Sequence, residues 1–327
     1  IAALLWRGED IILLGYVTTI GWLLQFLIQI PVLIKEKYRF FWRIDFGDPY
    51  TVSMFKQLGP ILLGNSLLQL CLIIDRSFAT HLEPGITSAL AFGSNLFVTV
   101  TSIFIVAMST VVFPRLSQYC LDGDKEKIRA LLGNIFKILL FILLPYLVLV
   151  IFYNRELIAL VYQRGAFTDR STAITAMAFL GYSLAVAGYA CQEIFNRVYY
   201  ALKRFIVPMR TSLICLALKV VLDLFLFRSA GIVGISVSTS ACLLLYAIIL
   251  AVLLHRELGA FLDRKLCVFA LQLMLPVAGM VLVIMGGRFL HLDGRSTFLL
   301  PLLLSGAVYL GISYFSNIRY SILVKGD

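Results

Sequence analysis

Two residues able to do chemistry stand where ionisable groups are costly. Lys219 and Asp223 lie in Thr211 to Ser240, TSLICLALKVVLDLFLFRSAGIVGISVSTS, which reads as two apolar helices joined by a GIVG turn. A spacing of four sets the ammonium and the carboxylate on one helix face. An ionisable side chain at mid-membrane costs about 2.5–3.5 kcal/mol on insertion scales, so it is kept where it pairs, meets water or does work. Beyond the turn comes a run of small and hydroxyl residues ending in Thr239. This hairpin is the first candidate site.

A second constellation sits in CQEIFNRVYYALKR, where Gln192, Glu193, Asn196 and Arg197 crowd into a turn and a half. Glu193 and Arg197 stand at i and i+4, the favourable order for a helical ion pair. Near a membrane mouth such a pair either serves structure or meets a passing anionic headgroup.

The remaining reactive side chains are scattered. His81, His255 and His291 lie apart in short loops, and Asp122 and Asp124 share a turn without partners. A membrane enzyme, such as a polyprenyl-phosphate transferase, wants carboxylate or histidine constellations at the interface. Their lack favours a transporter over that alternative. Cys71, Cys120, Cys191, Cys215, Cys242 and Cys267 stand singly, with no CxxC. They read as small core hydrophobes rather than zinc ligands or a disulfide framework.

The elements that must position these residues follow from composition. The 327 residues are 61% hydrophobic and 14% charged, with a mean hydropathy of +0.94, against about 25% charged residues in a soluble globular chain. Repeated apolar stretches of helical length exclude a β-barrel, whose strands alternate over about ten residues. The expected fold is an all-α polytopic membrane protein. Nine spans are predicted, near 10–33, 55–80, 86–113, 130–153, 171–196, 207–227, 231–254, 266–286 and 297–317. Pro145, Pro276 and Pro301 fall inside them, tolerable where neighbouring helices satisfy the freed carbonyls.

Net charge is +10, but the bases lie between apolar spans, as the positive-inside rule expects, and not in a nucleic-acid platform. KEKYRFFWRIDF, which interleaves bases with aromatics, reads as an interface belt facing anionic headgroups. Bases concentrate in the loops around Lys35–Lys56, Arg115–Arg129, Arg197–Arg210 and Arg256–Lys265, and in the tail with Arg319 and Lys325. Those loops are therefore cytoplasmic, with the amino end outside. Arg76, Lys137 and Lys219 fall within spans.

NRELIALVYQRGAFTDRST, between the fourth and fifth spans, reads as a short amphipathic helix on the outer surface. After it RGAF turns the chain, and Thr168 or Asp169 caps the next helix. The glycines of GIVG, Gly231 and Gly234, permit close helix approach. The sequence opens at Ile1 with no basic n-region and no small-residue cleavage site before its first apolar span, and reads as part of a longer protein.

GPILLGNSLLQLCLIIDRSFAT at 59–80, STVVFPRLS at 109–117, RGAFT at 164–168, RVYYALKRFIVP at 197–208 and the Lys219–Thr239 hairpin resemble the MurJ (MviN-type) lipid II flippases. These belong to the multidrug/oligosaccharidyl-lipid/polysaccharide exporter superfamily. The resemblance implies a fourteen-helix, two-lobed protein, with the nine spans as helices six to fourteen. Residues 1–54 would then hold the last helix of the first lobe and the inter-lobe loop. Residues 55–260 would be the second-lobe repeat, and 261–327 two extra helices. It implies a flippase of polyprenyl-diphosphate-linked peptidoglycan precursor working by alternating access, multi-pass in the bacterial cytoplasmic membrane and monomeric, with no nucleic-acid partner. Its alternative is another lipid-linked oligosaccharide flippase or a multidrug exporter of the same superfamily.

The resemblance also implies a sodium site made by Asp75, Asp223, Thr239 and the carbonyl of Ile235. Lys219, however, stands where the family has Asn, and an ammonium has no lone pair for sodium. For the substrate headgroup it implies a base in the third span, where this chain has Asn95. Asn95 hydrogen-bonds but brings no charge. Arg76 is the compensating candidate, with Glu193 and Arg197 beside it in the set.

Overall fold

The structure, a computed structural model, describes residues 11–36, 47–261, 264–290 and 298–316; for 11–14, 104 and 106–113 only the backbone is described. Most of the KEKYRFFWRIDF belt, Arg7, His291, Arg295 and the tail with Arg319 and Lys325 lie outside the described residues. The chain forms two compact units, Ile1–Met54 and Phe55–Asp327.

In the first unit, α1 (Ile11–Leu27) and α2 (Ile30–Lys35) make an apolar stretch long enough to cross a bilayer, Gly15–Lys35. Its large side chains, Trp22 and Phe26 among them, are exposed, the pattern of a helix apolar on all sides.

The second unit, from Phe55 on, is a helical bundle of most of α3 (Pro49–Asn65) with α4 (Leu67–Ala79), α5 (Ile86–Leu121), α6 (Lys125–Tyr162), α7 (Asp169–Ser183), α8 (Val186–Ala201), α9 (Ile206–Leu258), α10 (Arg264–Phe289) and α11 (Leu299–Phe315). The main core joins Leu67, Cys71, Phe97, Phe179, Tyr182, Leu243 and Tyr246. A smaller core formed by Phe269, Leu273, Met280, Ile284 and Tyr309 ties α10 and α11 to Tyr153 of α6.

By length and apolarity, five helices among the described residues can cross a membrane, or seven if each bent pair is one span. The helical membrane architecture thus stands, while the nine expected spans divide differently. Those at 55–80 and 171–196 are bent pairs, α3 with α4 at 53° and α7 with α8 at 42°. Those at 207–227 and 231–254 are the two halves of α9, helices that meet at a break at Gly231 with φ 54 and ψ −129, where the GIVG turn was expected. The last is a shorter helix of 17 residues.

Two of these breaks have a visible local setting. Pro60 lies inside α3, where it removes the donor to the carbonyl four residues earlier, and α3 ends at a bend at Ser66. The carbonyls freed there are met from other helices: Ser212 donates to Leu63 O at 3.1 Å and Asn196 to Gly64 O at 3.1 Å. Inside a bilayer such carbonyls have no water to turn to. Gly231 takes a backbone conformation that side chains resist. At Gly234 an added Cβ would lie 2.4 Å from Leu226 O, so the hairpin closes only over a glycine.

The segment expected as a separate surface helix continues α6 past a kink at Tyr153, with φ −123 and ψ 23. Its aromatic end is fixed by packing, with Tyr162 and Phe167 against Phe92 of α5 at 5.0 and 5.5 Å between ring centroids. Gly165 turns the chain with φ 60, and Thr168 caps α7 by accepting from Ser171 N. Pro145 and Pro276 lie inside α6 and α10. Pro301 is in the first turn of α11, where a missing N–H costs nothing.

Candidate functional site

The hairpin of α9 folds Lys219 and Asp223 of its first half against Ser238 and Thr239 of its second, and α4 and α7 close over them. Lys219 Nζ donates to Asp75 Oδ1 of α4 at 2.6 Å and to Asp223 Oδ2 on its own helix. Thr239 and Tyr182 hydroxyls donate to Asp75 Oδ2 at 2.7 and 2.9 Å. The Ser238 hydroxyl donates its one proton to Asp223 Oδ1, and Ile235 O lies 2.8 Å from the same oxygen.

Asp75, Lys219, Asp223, Ile235, Ser238 and Thr239 are all 0% exposed. Full burial makes desolvation the dominant cost, and it is met only where every polar atom finds a partner. That condition holds for the carboxylates: each of the four oxygens accepts from at least one donor. Two carboxylates face one ammonium, so Lys219 is the one cation in the network.

The network thus brings together five sequence candidates, Asp75, Lys219, Asp223, Ile235 and Thr239, although Ile235 enters only through its carbonyl, which lies beside the Ser238 hydroxyl. The other four do not join it. Arg76 and Asn95 are exposed, on α4 and α5; Arg76 follows Asp75 by one residue and so points about 100° away around the helix. Glu193 and Arg197 of α8 pair with each other at 3.6 Å, both side chains half-buried.

Sequence reasoning missed Tyr182 and Ser238. Ser238 belongs to the hydroxyl run that ends in Thr239, so the run itself was the signal. Tyr182 carried none, being one aromatic among many in an apolar span. A second polar cluster was legible only in Asn196: it also donates to Asn65 Oδ1 at 3.1 Å and accepts from Tyr246 OH at 2.6 Å, and Tyr200 OH reaches Asn65 Oδ1 at 3.1 Å.

A family model described as lipid II flippase MurJ matches residues 1–305. The chain belongs to the MurJ family. Among its relatives are proteins named probable lipid II flippase MurJ. The one from Buchnera aphidicola subsp. Acyrthosiphon pisum is 28% identical over 275 residues, covering 84% of this chain and 54% of that protein. The one from Bdellovibrio bacteriovorus is 27% identical over 306 residues, covering 92% and 58%. The one from Vibrio cholerae serotype O1 is 26% identical over 302 residues, covering 90% and 57%. The chain therefore spans a little over half the length of these MurJ relatives. A solved structure titled lipid II flippase MurJ, inward closed conformation, shares the fold with TM-score 0.72 at 24% identity, over 94% of this chain and 61% of that one.

Proposed function

We propose that this chain forms part of a flippase that carries lipid II, a polyprenyl-diphosphate-linked peptidoglycan precursor, across the bacterial cytoplasmic membrane by alternating access. The observation that carries the reading is membership of the MurJ family over residues 1–305. In this reading the helices correspond to helices six to fourteen of a fourteen-helix protein, with 55–260 as the second-lobe repeat, 261–327 as two added helices and the protein a monomer. The headgroup moves through a polar cavity between lobes while the polyprenyl tail stays in lipid, so no sugar or phosphate crosses bare hydrocarbon. The protein works as a carrier without making or breaking covalent bonds.

The Asp75–Lys219–Asp223 network has a mechanical part in this. It ties α4 to both halves of α9 through charge-assisted hydrogen bonds, so these segments move as one body when the lobes rock. A sodium ion does not fit the residues present: the Lys219 ammonium already bridges the two carboxylates that would hold it. We infer that Lys219 is a tethered cation and that the second lobe needs no added one.

The test is rescue. Cells depleted of their own lipid II flippase should regain lipid II headgroups in the outer leaflet, read by cleavage with a membrane-impermeant hydrolase, when the full-length protein is expressed. Normal protein levels with no outer-leaflet lipid II would refute the flippase reading.

A further inference from the structure

On the side that the positive-inside rule makes outer, α6 runs on past its kink at Tyr153 and meets the start of α7 around a cavity of about 400 Å³. Its lining includes Arg155, Glu156, Ala159 and Gln163 of α6, Asp169 of α7 and Phe298 just before α11. The Phe298 ring is buried, 5.9 Å from that of Tyr153 between centroids, so one wall is apolar while the others carry charges of both signs. Asp293 and Arg295, which precede Phe298, lie outside the described residues. The cavity shares no residue with the Lys219 network, and the flippase reading gives it no role.

Arg155, Ala159 and Gln163 follow one another at intervals of four along α6, and Glu156 stands three before Ala159, so the four share one face of the helix. The small Ala159 side chain leaves the middle of that face open. Among the described residues, neither the Arg155 nor the Glu156 side chain has an ion-pair or hydrogen-bond partner. Asp169 is held by one oxygen only: Gln163 Nε2 donates to its Oδ1 at 2.5 Å, and Oδ2 accepts from no described residue. The cavity thus presents one guanidinium and two carboxylates with hydrogen-bonding capacity to spare.

A ligand that satisfies this set brings an anion for the guanidinium and a cation rich in N–H for the carboxylates. Position narrows the choice. The span predicted at 130–153 ends two residues before Arg155, which puts the cavity at the level of the lipid headgroups. The phosphate oxygens of a phospholipid match the arginine fork in pairs. A primary ammonium offers three N–H donors to Glu156 and Asp169, whereas a trimethylammonium offers none. Phe298 and Ala159 supply apolar contact for the glycerol and the first acyl carbons, and the volume falls within the range of about 300–1,000 Å³ that small-molecule sites occupy. We propose that this cavity binds an ethanolamine phospholipid of the outer leaflet, with its phosphate on Arg155 and its ammonium on Glu156 and Asp169.

Native mass spectrometry of the full-length protein tests this, with phosphatidylethanolamine, phosphatidylcholine and phosphatidylglycerol of matched acyl chains titrated separately. Phosphatidylethanolamine should be retained over both of the others. R155Q and E156Q should each weaken its retention by about fivefold, the worth of one charge near a membrane surface. E156Q should leave phosphatidylcholine unchanged, since that headgroup has no N–H for the carboxylate to accept. R228Q, which removes an exposed base on the same predicted side and outside the cavity, should change nothing. Retention of phosphatidylcholine or phosphatidylglycerol equal to that of phosphatidylethanolamine, or wild-type retention by R155Q and E156Q, would overturn the proposal. Displacement by equimolar glycerophosphoethanolamine would overturn it too, by assigning the site to a soluble headgroup. Thermal unfolding without added lipid should match wild type for R155Q and E156Q, which separates lost binding from lost fold; a lowered midpoint would contradict the unpaired state of these side chains on which the proposal stands.

Discussion

Lys219 and Asp75 are 144 residues apart in the chain and 2.6 Å apart across the interface of α4 and α9. The ammonium also holds Asp223, so one lysine compensates two fully buried carboxylates. This unequal stoichiometry makes the three charges unequal in consequence.

Lys219→Met leaves two buried carboxylates facing each other with no cation, and removing a buried ion's partner costs about 3–5 kcal/mol. Asp223→Asn leaves Lys219 paired with Asp75 in a balanced couple and loses a charge-assisted hydrogen bond, worth about 1.5–3 kcal/mol. Unfolding of both variants in one detergent should rank Lys219→Met as the less stable. The opposite order would show that Lys219 does not compensate both carboxylates.

The α9 hairpin is expected to tolerate no side chain at its crossing. Gly234→Ala drives a Cβ to 2.4 Å from Leu226 O, and overpacking of this kind costs about 1–3 kcal/mol. Gly231→Ala meets no atom within 4 Å but must hold φ 54 with ψ −129, a strain of about 1–3 kcal/mol. Thermal unfolding should find both destabilised. A wild-type midpoint for Gly234→Ala would mean that the two halves of α9 do not approach so closely.

Two neighbouring amides on α8 should respond in opposite ways. Asn196 serves Gly64 O, Asn65 and Tyr246, so Asn196→Leu orphans buried partners at about 1–3 kcal/mol. Gln192, one turn earlier and fully buried, has no hydrogen-bond partner for either amide atom among the described residues. Gln192→Leu should therefore be neutral or stabilising. Equal losses for the two would contradict the assignment of the Gly64 carbonyl at the α3–α4 bend to Asn196.

Orientation is testable without disturbing the core. Single cysteines placed within 34–50 and 286–296 should be labelled by a membrane-impermeant reagent from outside only in the second set, because the basic loops define the cytoplasmic side. The reverse pattern would invert the whole topology.

What the sequence could reveal was set by the range of each interaction. Lys219 and Asp223 were visible because their contact is local, four residues on one helix. The helix breaks were partly visible, since Gly231 announces itself, whereas the bend at Ser66 is accommodated by side chains 132 and 149 residues away that meet its freed carbonyls. Asp75 was found through family resemblance, because nothing in LLQLCLIIDRSFA says which distant helix it meets. Tyr182 joins by tertiary packing alone, 107 residues from the carboxylate it serves.

The tethered cation is tested most directly by Lys219→Asn. That change removes the ammonium, leaves Asp75 Oδ1 and Asp223 Oδ2 facing a gap, and supplies an amide oxygen, so a cation becomes the means of relieving the two carboxylates. Wild type and variant would be unfolded thermally in sodium chloride and in choline chloride at equal ionic strength. The wild type should be indifferent to the exchange, while the variant gains stability as sodium rises, by about 2.7 kcal/mol at 100 times its dissociation constant. A wild type stabilised specifically by sodium, or a variant that ignores it, would contradict the assignment of Lys219 as the built-in cation of this site.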